Sequence, residues 1–210
     1  MIDIENVNKA YHGCTVLKDV CMSLPRGEVV GFIGANGSGK TALLKIICGF
    51  SRADSGKVLW KNKCIGKDID FPSGAGIMID RPGFFPTYSA RDNLLLLASH
   101  RKKVNKQQVD AAIAMVGLDP HNRKPVGTYS MGMQQRLCFA QAIMEEPELL
   151  ILDEPFNSLD QKWSEWMKEK IKQYAARDKL IILTGHGMDG EIDYLCTRTY
   201  LFHDGTVEQQ

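Results

Sequence analysis

Gly34-Ala35-Asn36-Gly37-Ser38-Gly39-Lys40-Thr41 lies between an apolar, β-branched run (EVVGFI) and a run with helical periodicity (TALLKII). The order predicts a strand, a tight loop and a helix. Gly34, Gly37 and Gly39 let the backbone curl so that successive N–H groups point inward, a geometry suited to phosphate oxygens. The helix start adds a partial positive charge at the same place. A glycine-rich turn alone does not call for Lys-Thr next. Lys40 supplies a full charge for the β- and γ-phosphates, and the Thr41 hydroxyl can ligate Mg²⁺.

Outward from this loop, short apolar runs recur at 28–33, 76–79, 149–152, 180–183 and 199–202. LLIL and LIIL are nearly continuous, as in strands buried on both faces of a parallel sheet. Helical patterns alternate with them, so the fold class expected is α/β with a mostly parallel sheet. The first helix follows Lys40 and closes at Gly49. Another runs from about Asn105, with Val109, Ala112, Ile113 and Val116 on one face and Gly117 at its end. A third begins near Ser158, with Leu159, Trp163, Trp166, Met167, Ile171 and Tyr174 on a common stripe, where the two Trp residues read as core. Residues 84–146 carry three helical patterns and no strand, which suggests a helical lobe inserted into the sheet. Up to about residue 66, alternating runs (MIDIENV, KVLWKNK) suggest an antiparallel β subdomain. All of this is expected within one domain spanning 1–210.

Two further segments carry chemistry. In LLILDEP, a buried strand ends at Asp153-Glu154. The carboxyl edge of a parallel sheet is where α/β folds bind ligands. Asp153 is placed to hold Mg²⁺ through its water shell, and Glu154 to orient or deprotonate an attacking water. The strand LIILT leads into Gly185-His186, and His186 reads either as a γ-phosphate contact or as a loop residue. Thr128-Tyr-Ser-Met-Gly-Met-Gln-Gln-Arg136 opens a helix with a small hydroxyl, Ser130, and Gly132 between methionines.

Bulk properties narrow the classes. The chain has 210 residues, is 44% hydrophobic and 24% charged, and carries a formal net charge of +1. That composition suits a globular protein with a substantial core and gives no electrostatic case for nucleic acid or an anionic membrane. Arg101-Lys102-Lys103 reads as a solvated helix end. The six cysteines form no C-x-x-C pair, and the expectation is reduced, mostly buried thiols in a cytosolic protein. The N-terminus lacks a cationic region followed by an apolar one, so no signal peptide is expected. No apolar run approaches the roughly 20 residues needed to span a bilayer.

In sequence order, Tyr11, GANGSGKT, the loop at Asp80, YSMGMQQR, LLILDEP, Asn157-Ser158-Leu159-Asp160 and His186 together resemble the ATP-binding subunit of an ABC transporter, over nearly the whole chain. The form Y-S-x-G-M is similar to the subgroup that exports peptides, lantibiotics and drugs or confers self-immunity. Where that family writes L-S-G-G-Q, this chain keeps Ser130 and Gly132 and has Met131 and Met133. Where it usually has Gln before the Pro-containing loop, this chain has Asp80.

The resemblance implies an ATPase with cofactors ATP and Mg²⁺. Implied nucleotide contacts are Tyr11 (stacking on adenine), Gly34, Asn36, Gly37, Ser38, Gly39, Lys40, Thr41, Ala42, Asp80, Ser130, Gly132 and Asp160. Implied metal contacts are Thr41, Asp153 and Asp80, and implied catalytic residues are Glu154 and His186. It further implies a second nucleotide-binding domain, homo- or heteromeric, whose P-loop phosphate is met by Ser130 and Gly132. The remaining partner is a membrane-spanning subunit on a separate chain, which puts this chain at the cytoplasmic face of the membrane. Phe84 and Phe85 stand as candidate contacts for that subunit or as packing inside the lobe. The rival readings are a single-domain ABC-type ATPase of cluster assembly and, more distantly, a small-molecule kinase.

Overall fold

The computed structural model describes residues 1–80, 83–186, 192 and 194–210. The first layer is antiparallel: β1 (Ile2–Tyr11), β2 (Cys14–Leu24), β4 (Ser55–Trp60) and β5 (Lys63–Cys64) in the order β2-β1-β4-β5. The second sheet has six strands in the order β10-β9-β3-β8-β7-β6. Its members are β3 (Val29–Gly34), β6 (Ala75–Met78), β7 (Leu149–Leu152), β8 (Leu180–Gly185), β9 (Arg198–His203) and β10 (Thr206–Gln209). All neighbours are parallel except the β9–β10 hairpin. Helices α1 (Lys40–Ile47), α2 (Ala90–Arg101), α3 (Lys106–Met115), α4 (Met131–Ile143) and α5 (Gln161–Ala175) complete the chain.

The continuous apolar runs have a simple cause. β3 and β7 are buried at every position, and β8 at all but its last. Alternate residues of one strand enter different cores, as period-two geometry requires. Leu150, Leu152, Ile181 and Leu183 face a core built with α2, α3, α4 and α5. Leu149, Ile151, Leu180 and Ile182 face a second core, shared with α1 and the antiparallel layer. With water on neither face, there is no polar alternation to see.

Helices α2, α3 and α4 fall within residues 84–146, where no strand is found among the described residues. Asn105 caps α3 in a full capping box with Gln108. Two boundaries differ from expectation. β6 ends at Met78, one residue early, leaving Ile79 and Asp80 in the turn beyond it. α5 starts at Gln161 rather than near Ser158, because the Asp160 side chain accepts from Trp163 N at 2.9 Å and caps the helix there. Neither β2 nor β10 was expected. On α5, Met167 and Ile171 are fully buried, and Trp166 packs against the same core.

The expectation of mostly buried thiols is corrected. Cys48 and Cys138 are buried, Cys64 and Cys196 are half-buried, and Cys14 and Cys21 are exposed. The latter two lie on β2. Among the described residues no helix is long and apolar enough to cross a membrane.

Candidate functional site

The register of the parallel sheet brings three strand ends to one edge. Ile33 pairs with Gly185, and Leu152 with Leu183. The loop after β3, the Asp153-Glu154 pair after β7 and the Thr184–His186 end of β8 therefore meet. The β3 loop turns into α1 through Gly39, whose φ is 108°. A Cβ there would lie 2.6 Å from Val16 O, so only glycine fits.

Lys40 folds back over the loop. Its Nζ donates to Gly34 O at 2.6 Å and Ala35 O at 2.9 Å, and the residue is 5% exposed. Burial pushes its pKa down, while Glu154 and Asp153 pull it up. Ser38 Oγ is buried with no hydrogen-bond partner among the described residues. An unsatisfied hydroxyl and a buried cation in a glycine-rich loop at the start of α1 fit a phosphate group.

Next to this loop, Thr41 Oγ1 donates to Asp153 Oδ2 at 2.9 Å, and Thr184 Oγ1 donates to Asp153 Oδ1 at 2.6 Å. A hydroxyl beside a carboxylate is a hard-oxygen donor set, the kind Mg²⁺ takes with phosphate oxygens and water. Thr184 also orders the next residue, since its Oγ1 accepts from Glu154 N at 2.8 Å. Glu154 has φ 47°, a left-handed value uncommon for a non-glycine residue. His186 Nε2 lies 2.8 Å from Glu154 Oε1, and Asn157 Nδ2 donates to Glu154 Oε2 at 2.5 Å. Thus Gly34–Thr41, Asp153, Glu154 and His186 form one continuous site.

The signature segment sits beside this site on a different element. Ser130 caps α4 and accepts from Met133 N at 3.3 Å. Gly132 approaches the turn after β7 so closely that a Cβ would lie 2.8 Å from Ser158 O. Gln135 Nε2 donates to Glu154 O and Pro155 O, each at 3.1 Å. Met131 is exposed, and Met133 packs against the helical core. Among the described residues, no hydrogen bond or ion pair joins Ser130 or Gly132 to the loop at 34–41.

The other expected residues are placed as follows. Tyr11 ends β1 with an exposed ring, its hydroxyl 3.3 Å from Ser51 Oγ. Asn36 lies exposed in the loop, and Ala42 is half-buried on α1. Asp160 is the α5 cap described above. Asp80 is paired with Lys45 Nζ at 2.7 Å, a contact that raises the Lys45 pKa. Sequence reasoning gave no role to Lys45, Gln135 or Thr184, and it named Asn157 only as part of the Asn157–Asp160 motif. Thr184 was the readable one, a hydroxyl residue closing an otherwise apolar buried strand.

A groove of about 600 Å³ lies away from this site, lined by Ile79, Phe85, Leu96, Leu97, Ala142 and Met144 among others. Phe85 is 54% exposed there, whereas Phe84 packs into the helical core. Packing inside the lobe thus describes Phe84, while Phe85 lies open in the groove.

A glycine-rich loop between a buried strand and a helix, with an acidic pair on the adjacent strand end, defines a P-loop nucleotide-phosphate site of the ATP-binding-cassette fold. The model of the ABC transporter family matches residues 17–157. A Bacillus subtilis protein described as an uncharacterized ABC transporter ATP-binding protein, YybJ, is 35% identical over 99% of this chain and 95% of its own length. The bacitracin transport ATP-binding protein BcrA of Enterococcus faecalis is 33% identical over 100% of this chain and 68% of its own. A solved dimeric structure of MJ0796, a bacterial ABC transporter cassette, superposes with TM-score 0.88 at 24% identity, covering 99% of this chain and 97% of that one. The chain belongs to the ABC transporter family, as one of its ATP-binding ATPases.

Proposed function

We propose that the chain is the ATP-hydrolysing motor of a transporter whose membrane-spanning subunit is a separate polypeptide. In this reading residues 1–210 form one cassette, with the helical lobe at 84–146, and two cassettes work as a pair. The observation that carries it is the Thr41–Asp153 hydrogen bond, which ties the phosphate loop to the acidic strand end.

MgATP, when bound, supplies the phosphoanhydride to be cleaved, and the metal neutralises its developing charge. The rest is done by this chain's own residues. Lys40 and the backbone N–H groups of the loop bind the phosphates, and Thr41, Asp153 and Asp80 would hold the metal. Tyr11 gives the base an exposed aromatic face. Glu154 orients a water through its carboxylate oxygens and accepts its proton, and His186 holds that carboxylate and contacts the γ-phosphate. Among the described residues Ser130 and Gly132 make no hydrogen bond or ion pair with their own P-loop, and they lie at a helix N-terminus, where an anion is favoured. They close over the phosphate held by the partner cassette, and Asp160 lies at that contact.

The groove at Phe85 suits an apolar segment of the membrane subunit, which would hold the cassette at the membrane face. The YSMGM form and the likeness to a bacitracin transport protein support export of a peptide or drug-like cargo. The test is Glu154→Gln. Nucleotide affinity is expected to stay within about twofold while turnover falls at least about a hundredfold, and the ATP-bound pair accumulates. Parent-level hydrolysis by this variant refutes the role of Glu154.

A further inference from the structure

We propose that Asn157 is a positioning residue for the Glu154 carboxylate, an inference that rests on the reading of Glu154 as the group that activates water. Glu154 is anchored at the backbone on both sides. Its N–H donates to Thr184 Oγ1, and its carbonyl accepts from Gln135 Nε2 and, at 3.2 Å, from the Asn157 N–H. These contacts fix the Cα but not the carboxylate, because the last torsion of a glutamate is a broad, soft rotor. Two donors fix that torsion: His186 Nε2 on Oε1 at 2.8 Å and Asn157 Nδ2 on Oε2 at 2.5 Å. They come from different elements, the end of β8 and the turn after β7, so together they set the plane of the carboxylate.

Glu154, Asn157, Thr184 and His186 also line a pocket of about 10 Å³. That volume is near the lower limit for a single water molecule. Asn157 needs only one of its two amide hydrogens for Glu154. Its second hydrogen and its Oδ1 are available to a water in that pocket. Asn157 therefore aims the carboxylate from within its own turn and lines the small pocket beside it. A change of 1 Å in such a geometry is felt in the rate rather than in binding.

The experiment compares the full chain with Asn157→Ala, Asn157→Asp, Glu154→Gln and the double variant Glu154→Gln/Asn157→Ala. It measures steady-state turnover and, separately, equilibrium binding of a fluorescent ATP analogue. Asn157→Ala is expected to lower kcat about tenfold, with KM and nucleotide affinity within about twofold. Asn157→Asp keeps the shape but sets a like charge against Oε2, so its kcat should fall at least as far as that of Asn157→Ala. In the Glu154→Gln background, Asn157→Ala should leave the residual rate unchanged, since the group it aims has been removed. The proposal is overturned if Asn157→Ala keeps the parent kcat, if Asn157→Asp restores it, or if the loss persists undiminished without Glu154. A Glu154→Gln variant that turns over like the parent defeats the reading of the base itself. An active Asn157→Ala beside a dead Glu154→Gln defeats only the present proposal.

Discussion

Asp80 carries the sharpest residue-level contrast with the family pattern, a carboxylate where a neutral amide is usual. The structure gives it a partner in Lys45, four residues after Thr41 on α1, with side-chain exposures of 36% and 59%. An ion pair this open to solvent contributes at most about 1 kcal/mol to stability. Its greater effect is on the field at the nearby phosphate loop, where Lys45 offsets the charge of Asp80. Asp80→Gln leaves Lys45 uncompensated and should tighten ATP binding by about three- to fivefold, a shift of about 1 kcal/mol. Lys45→Met should weaken it by a similar factor. Both effects should shrink at high ionic strength, as expected for partly exposed charges. Fluorescent-nucleotide titration of the two variants at low and high salt checks this, and a salt-independent change would point to altered loop geometry instead.

At the scale of elements, α3, α4 and α5 are pinned together at Gly117. It closes α3 with φ 68°, and a Cβ there would lie 2.1 Å from the Trp163 ring. The Arg136 guanidinium lies 4.2 Å from the centre of that ring and donates to Val116 O and Gly117 O at the end of α3. Gly117→Ala should therefore cost about 2–4 kcal/mol, combining left-handed strain with displacement of Trp163. Thermal unfolding should show a drop of about 5–10 °C. In a Trp163→Leu background the same change should cost clearly less, because the ring no longer fills the space. The sequence signalled Gly117 as a helix end but could not signal Trp163, which comes from 46 positions later in the chain. The same limit hid β2: Asp19 takes φ 47° and the β1–β2 register shifts, so the strand does not alternate cleanly. β10 is a short polar edge strand, legible only through its pairing with β9. The buried strands and the phosphate loop were legible because their constraints are local. The contacts made by Lys45 and Gln135 depend on tertiary approach, whereas that of Asn157 is local to its turn but follows from a backbone geometry with Glu154 at φ 47° that no residue pattern announces.

For the whole molecule, the site is divided by its own fold. The sheet edge gathers the phosphate loop, Asp153, Glu154 and His186, while the lobe carries Ser130 and Gly132 on another element. Gln135 links that lobe to the carbonyls of Glu154 and Pro155, and the approach of Gly132 to Ser158 O adds a second link. The signature is thus held within its own chain, with no hydrogen bond or ion pair to that chain's phosphate loop among the described residues. In the proposed reading the single chain binds nucleotide, and a second cassette encloses the phosphate. Ser130→Arg tests that division of labour. Ser130 is an exposed cap, so the change costs about 1 kcal/mol of helix stability and leaves the fold intact. ATP affinity of the single chain should stay within about twofold. ATP-dependent association, followed by sedimentation in the Glu154→Gln background, should be lost, because a long cation replaces the small hydroxyl at the closing surface. Association at the level of Glu154→Gln alone would place Ser130 outside the contact between cassettes.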